Sequence, residues 1–141
     1  MVIKSLKVLC WVMGIGLIAI GMSRMAFSMA GVPGGGAVNP TVDSESRAAG
    51  ALLIALGVAY IWAVRRSPIP SAMLRLLAAT MALLAVGRVI SMADVGMPHV
   101  VFTGATVIEF VVAGLTYWYS TMSDQPTPAH AARAGIPGDG G

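Results

Sequence analysis

The chain has 141 residues, of which 57% are hydrophobic and only 11% are charged, with a mean hydropathy of +0.81. A soluble domain carries about 25% charged residues, so this composition excludes an ordinary soluble domain and indicates a surface solvated by lipid. The net charge of +3 is too small and too confined to particular loops to indicate nucleic-acid binding. Cys10 is the only cysteine, which excludes an internal disulfide and a cysteine-based zinc cluster.

The first predicted element is an apolar span over about residues 8–29, preceded by Lys4 and Lys7 and interrupted late by Arg24. A basic start, an apolar stretch and the small residues of Ser28-Met29-Ala30 also fit a cleaved signal peptide, which stays open as an alternative. Because about 20 apolar residues cross a bilayer, we expect this stretch to remain as a transmembrane helix.

A glycine-rich turn follows, and the second span is predicted over about residues 47–64. Asn39-Pro40 is typical of a helix start, with Asn as the N-cap and Pro in the first position, and Asp43 is a second candidate cap. Arg65-Arg66-Ser67-Pro68 ends the span because Pro blocks helix continuation.

The third span is predicted over about residues 73–95 and the fourth over about 99–120, joined by a tight reversal at Gly96-Met97-Pro98. Residues 121–141 are polar and rich in Pro, Gly and Ala, which predicts a disordered tail. The fold class is therefore predicted as all-α, a four-transmembrane-helix bundle over 1–120.

Basic residues in short loops indicate which side of a membrane is cytoplasmic. They cluster before the first span and between the second and third spans: Lys4, Lys7, Arg65, Arg66 and Arg75. We therefore expect a protein of the plasma or inner membrane with both termini in the cytoplasm and the Asn39 stretch facing outward.

Small residues recur on one face of each span, and they allow membrane helices to approach closely. We predict that these faces form the inner surface of the bundle: Gly14, Leu17, Gly21, Arg24 and Ser28; Arg47, Gly50, Ile54 and Gly57; Thr80, Leu84, Gly87 and Ser91; Thr106, Glu109, Ala113, Thr116 and Ser120.

Three charged residues, Arg24, Arg88 and Glu109, lie inside apolar runs, where an unpaired charge costs several kcal/mol. A rise of ~1.5 Å per residue places all three in the outer half of the membrane. Arg88 and Glu109 belong to neighbouring antiparallel spans, so we predict that they face each other. The full candidate set of polar residues is Arg24, Asn39, Asp43, Glu45, Arg47, Arg88, Ser91, His99 and Glu109.

This set has two interpretations. One is a structural ion-pair network that fixes the register of the four helices, with Asp43 and Glu45 stabilising a helix N-terminus and His99 lying at the interface beside Pro98. The other is an outward-opening polar pocket with Glu109 as proton carrier or ligand anchor. No spacing of His, Cys or carboxylates indicates a metal site, and no cofactor is expected.

The polar residues resemble those of a family of small bacterial four-helix membrane proteins, domain of unknown function 4345. The resemblance covers about residues 8–120 and implies four spans and no established activity. The residues that carry it are Asn39-Pro40, Asp43-Ser44-Glu45, Arg47, Gly50, Gly87-Arg88, Ser91, Gly96, Pro98-His99 and Glu109.

The leading functional hypothesis is a non-enzymatic accessory subunit that docks in the membrane on a larger complex, such as a transporter or a lipid-handling assembly. Its partners would be membrane lipids and other integral membrane subunits, or a second copy of itself. The alternative is a helper that binds or transports a lipid, a quinone or a proton in the outward polar pocket. A membrane enzyme using Glu109 or His99 as acid or base is a third hypothesis, which no catalytic motif supports.

Overall fold

The computed structural model describes residues 2–28, 32–37 and 39–123. They form four helices, α1 (Val2–Phe27), α2 (Pro40–Arg65), α3 (Ser71–Val95) and α4 (Val100–Ser123), with no strand in these ranges. Each helix is long and apolar enough to cross a membrane. The predicted all-α class with four spans is therefore confirmed.

The second helix begins at Pro40 with Asn39 as its N-cap, which confirms the predicted helix start, and it extends the predicted span of 47–64 toward the N-terminus. The Asn39 side chain accepts a hydrogen bond from the Val42 N–H at 2.9 Å, which satisfies one of the free donors of the first turn. The predicted span covered only the apolar part of this helix. The first helix likewise includes Lys4 and Lys7, although both precede its apolar run.

The fourth helix continues to Ser123, so residues 121–123, predicted as the start of the tail, are helical. The Thr121 hydroxyl donates to the Trp118 carbonyl at 2.7 Å within this last turn. Residues 124–141 of the predicted tail and residue 29 of the predicted first span lie outside the described residues. The predicted reversal after α3 is present, with Gly96 at a φ of 100°, which favours glycine.

The first hairpin, α1–α2, is held by two reciprocal glycine contacts. A Cβ added to Gly21 would lie 2.5 Å from the Gly50 carbonyl oxygen, and one added to Gly57 would lie 2.6 Å from the Gly14 carbonyl oxygen. The two backbones therefore touch at both places. Because hydrophobicity does not drive helices together in lipid, such close packing supplies much of the attraction between them.

The second hairpin, α3–α4, buries small and polar residues on α4 and mainly apolar residues on α3. The predicted inner face of α4 is confirmed, because Thr106, Glu109, Ala113, Thr116 and Ser120 are all buried. The predicted face of α3 is wrong: Gly87 and Ser91 are exposed, and Thr80 and Leu84 are only partly buried. Bulky side chains fill the contact on α3 instead, so its buried face consists of Leu74, Leu77, Ala78, Met81 and Ala85.

The bundle has two unlike ends. The packed end contains the start of α1, the α2–α3 connection and the end of α4, and there all four helices contribute to one core that includes Cys10, Tyr60, Leu74 and Val112. The cleft end contains the α1–α2 and α3–α4 connections. Here two cavities lie between the hairpins.

We expect Gly21→Ala to destabilise the protein by about 1–3 kcal/mol, the usual cost of forcing an extra methyl group into a packed contact. Its Cβ would meet the Gly50 backbone, which cannot rotate away. The measurement is the free energy of unfolding in sodium dodecyl sulfate, followed by circular dichroism. Gly16→Ala is the matched control on the same helix, because nothing lies within 4 Å of its added Cβ. Equal effects of the two substitutions would contradict the glycine contact.

Candidate functional site

The ion pair predicted between α3 and α4 is present. Arg88 donates from Nε to both carboxylate oxygens of Glu109, at 3.0 Å and 2.9 Å. The Glu109 side chain is 10% exposed and that of Arg88 is 27% exposed, so the carboxylate is the more deeply buried partner. Opposite charges at this distance offset much of each other's desolvation cost in an apolar medium.

This pairing uses only one part of the Arg88 guanidinium. A guanidinium carries its N–H donors on Nε and on both terminal nitrogens, and only Nε–H contacts Glu109. The guanidinium carbon lies 5.5 Å from the centre of the Phe102 ring, in a cation–π contact. Within the described residues, the terminal nitrogens have no acceptor, so they are available to a further anionic group.

Arg24 lies in the last turn of α1 and is partly buried, with its Cβ beside Gly50 of α2. No hydrogen bond or ion pair joins its guanidinium to another residue in the described ranges. Arg24 and Arg88 instead line the same two cavities, one side chain from each hairpin. The cleft therefore brings two cations together and supplies Glu109 as the single carboxylate of this cluster.

The first cavity, which we call cavity I, has a volume of about 390 Å³. Two helices of different hairpins, α1 and α4, form its walls, and the α1–α2 connection covers it with Val32 and Pro33. Apart from Ser23, Arg24 and Arg88, its lining is apolar: Ala19, Ile20, Val32, Pro33, Val101, Phe102 and Ala105.

The second cavity, cavity II, has a volume of about 300 Å³ and lies on the other side of the two arginines, between α2 and α3. Its lining is apolar except for Thr80 and the arginines: Ala49, Leu52, Leu53, Leu56 and Leu84. It extends along α3 from Arg88 to Thr80, which corresponds to about 12 Å at the helical rise. Both cavities thus run from a shared cationic centre toward the middle of the bundle.

Ser91 lies away from these two cavities. It lines a smaller cavity of about 170 Å³ within the α3–α4 hairpin, together with Arg88, Met92, Pro98 and Phe102. The Ser91 residue is exposed overall, so it borders the site and does not form its centre.

A separate polar group closes the cleft end of the first hairpin. Arg47 pairs with Asp43 one turn earlier, with Nε 2.8 Å from Oδ2, and it also donates to the Met25 carbonyl near the end of α1. An arginine at these last carbonyls also complements the helix dipole. Arg47 and Asp43 therefore join α1 to α2 and do not reach Glu109.

The remaining predicted residues have local roles or are solvent-exposed. Asn39 caps α2 as described above, and Glu45 is exposed on the first turns of that helix. His99 is exposed, accepts a weak hydrogen bond from the Val101 N–H at 3.4 Å, and packs against Gly34 of the other connection. Among these nine residues the described structure shows one ion pair in each hairpin, Asp43–Arg47 and Arg88–Glu109, and Arg24 belongs to neither.

Sequence reasoning missed the apolar part of the site. Phe102 lies seven residues before Glu109, hence on the same face of α4, and this spacing was an available signal. Val32 and Pro33 carried no such signal, because their place over cavity I depends on how the connection folds back. The described residues contain no group of three His, Cys, Asp or Glu side chains close enough to hold a metal ion.

A broader groove lies at the packed end, between α1 and α4. Its volume is about 550 Å³, and its lining includes Lys4, Val8, Val12 and Leu115. It is larger than cavities I and II, but only one cation borders it. It therefore lacks the paired guanidinium groups that distinguish the cleft.

The protein is therefore a small all-α bundle of membrane-crossing length, with a cationic and otherwise apolar cleft between its two hairpins. Residues 5–120 match the profile of the family described as Domain of unknown function (DUF4345), and the chain belongs to that family. No curated protein and no solved structure matches the chain.

We expect Arg88→Met and Glu109→Leu each to destabilise the protein by about 3–5 kcal/mol, because each leaves a buried charge without its partner. The double variant should recover much of this loss, since no unpaired charge remains from the pair. The measurement is a double-mutant cycle on the free energy of unfolding in detergent.

The matched control is the same cycle on Asp43 and Arg47, an ion pair with far more exposed side chains. Its coupling should be no more than about 1 kcal/mol, the usual value for exposed pairs. Additive effects of Arg88→Met and Glu109→Leu would show that the two residues do not stabilise each other.

Proposed function

We propose that this protein binds an amphipathic molecule of the membrane in the cleft between its hairpins, with the polar head at Arg24 and Arg88 and the apolar part in cavities I and II. The proposal rests on one observation: the same two guanidinium groups line both apolar cavities. Ligand sites in proteins are usually clefts of about 300–1,000 Å³ with apolar walls and a few polar groups that orient the ligand. This cleft has that composition.

In this proposal the Arg88–Glu109 pair is the fixed part of the site. Glu109 accepts from the Arg88 Nε–H, and this contact fixes the orientation of the guanidinium. The terminal nitrogens are therefore held in place without contacting Glu109. The cation–π contact with Phe102 supports the same placement. The role is binding and presentation of a lipid or quinone, and the proposal assigns no catalytic step to any residue.

Filling the cavities tests this function. We expect Ala49→Phe, which projects a ring into cavity II, and Ala105→Phe, which projects one into cavity I, to lower the amount of lipid or quinone that copurifies with the protein. Native mass spectrometry after extraction in mild detergent measures this amount.

Ala51→Phe is the matched control, because Ala51 is exposed on the same helix as Ala49 and lines neither cavity. It should leave copurification unchanged. Equal retention in wild type, Ala49→Phe and Ala105→Phe would overturn the binding function.

We also propose that the cleft end faces away from the cytoplasm, with both termini in the cytoplasm of a cell with a plasma or inner membrane. Support comes from the packed end, where the helix order brings together Lys4, Lys7, Arg65, Arg66 and Arg75, the basic cluster typical of a cytoplasmic side.

Reporter fusions check this orientation. We expect a fusion after residue 68 and a fusion at the C-terminus both to report the cytoplasm, because both positions follow helices that end at the basic side. A periplasmic signal from either fusion would reverse the proposed orientation.

A second candidate function is that of an accessory subunit docked on a larger membrane complex. The outer surface of α3–α4 favours it, because Gly87, Gly104 and Gly114 have nothing within 4 Å of an added Cβ and would let a partner helix approach closely. Copurification of a partner in mild detergent should then be lost on Gly104→Leu and kept on Gly16→Leu, which alters an open position of the other hairpin. Loss in neither variant would remove this candidate.

A further inference from the structure

The cleft between the hairpins has a charge imbalance. Arg24 and Arg88 place two guanidinium groups on its walls, and Glu109 supplies one carboxylate, already engaged with Arg88. The nearest other acid–base pair, Asp43 and Arg47, is neutral as a pair and belongs to the end of the first hairpin. The cluster therefore carries one positive charge in surroundings of apolar side chains, where an isolated charge costs several kcal/mol.

The hydrogen bonds of this cluster also indicate an unmatched positive charge. All N–H donors of Arg24 and those of the terminal nitrogens of Arg88 have no acceptor within the described residues, while Glu109 already accepts from Arg88 with both oxygens. A guanidinium has no acceptor of its own. The charged donors of the cleft thus outnumber its charged acceptors, so an anion complements it better than a neutral head group such as a quinone ring.

The shape of the cleft indicates the rest of the molecule. Cavities I and II lie on opposite sides of the two arginines and run toward the middle of the bundle, past Ile20 in one and past Leu56 in the other. Arg24 lies in the last turn of its helix, near the end of the apolar span. Two apolar branches thus meet at one cationic point near the end of the membrane-crossing helices.

We propose that the cleft is a site for an anionic diacyl membrane lipid, with its phosphate at the Arg24 and Arg88 guanidinium groups and one acyl chain in each cavity. The inference rests on the proposed binding function and names its ligand class. Arginine suits this role because its planar donor fork matches a phosphate.

The test compares two lipids that share acyl chains and differ in net charge. Detergent-solubilised full-length protein is mixed with equal amounts of phosphatidylglycerol and phosphatidylcholine, and bound lipid is counted by native mass spectrometry. Wild type should retain phosphatidylglycerol preferentially. Arg24→Gln should lower that preference about tenfold, the effect expected from the loss of one contact between charged hydrogen-bonding groups.

Two further variants distinguish an effect of charge on lipid preference from a loss of folding. Ser23→Asp leaves Arg24 intact and places a competing carboxylate beside it in cavity I, so it should lower the preference as Arg24→Gln does. Lys4→Gln is the matched control, because it removes one positive charge from the broader groove at the packed end. It should leave the preference unchanged, and thermal melting of each variant verifies that it is folded.

The possible outcomes distinguish failure of the anionic-lipid proposal from failure of the binding function. Preference lost in Arg24→Gln and Ser23→Asp but kept in Lys4→Gln supports the anionic lipid site. Equal retention of the two lipids by wild type, or a preference lost only in Lys4→Gln, overturns it. If retention is equal and Ala49→Phe still lowers both lipids, the binding function stands with a ligand of another charge. If Ala49→Phe changes neither, both proposals fail.

Discussion

A guanidinium group cannot lose its proton in a protein, so an arginine inside an apolar span must find acceptors or water. Arg88 meets this requirement by pairing with Glu109 on the neighbouring helix, which fixes α3 against α4 at that depth. Arg24 does not meet it inside its own hairpin. Its guanidinium instead lines the cleft between the hairpins, together with that of Arg88.

Packing determines which parts of the helices meet. Gly14, Gly21, Gly50 and Gly57 hold α1 and α2 in backbone contact at two places. The large apolar side chains of all four helices then fill the packed end, with Tyr60 and Met81 fully buried. Beyond that core, apolar side chains line the space around the arginines without filling it. The glycine contacts, the Arg88–Glu109 pair and the shared core thus leave a cleft between the hairpins with two cations on its walls.

The sequence was informative wherever a local rule decided the structure. Helix capping located Asn39, and the need of a buried charge for a partner located the contact between Arg88 and Glu109. The same reasoning failed on α3, where small residues suggested an inner face at Gly87 and Ser91 and packing selected Leu74, Leu77 and Met81 instead. Arg24 was also predicted to belong to the ion-pair network. Whether it reaches Glu109 depends on the distance between the hairpins, which is a property of the whole core. The cavities depend on the same distance, and no periodic pattern in the sequence indicates them.

A structure determined from protein extracted with its native lipids would show whether the cleft holds a lipid. We expect elongated density in both cavities, joined at a head group within hydrogen-bond distance of Arg24 and Arg88, while Glu109 remains paired with Arg88. A closed cleft with the Arg24 guanidinium paired to Glu109 would contradict this expectation, because the positive centre that is proposed to bind the ligand would then be neutralised by the protein itself.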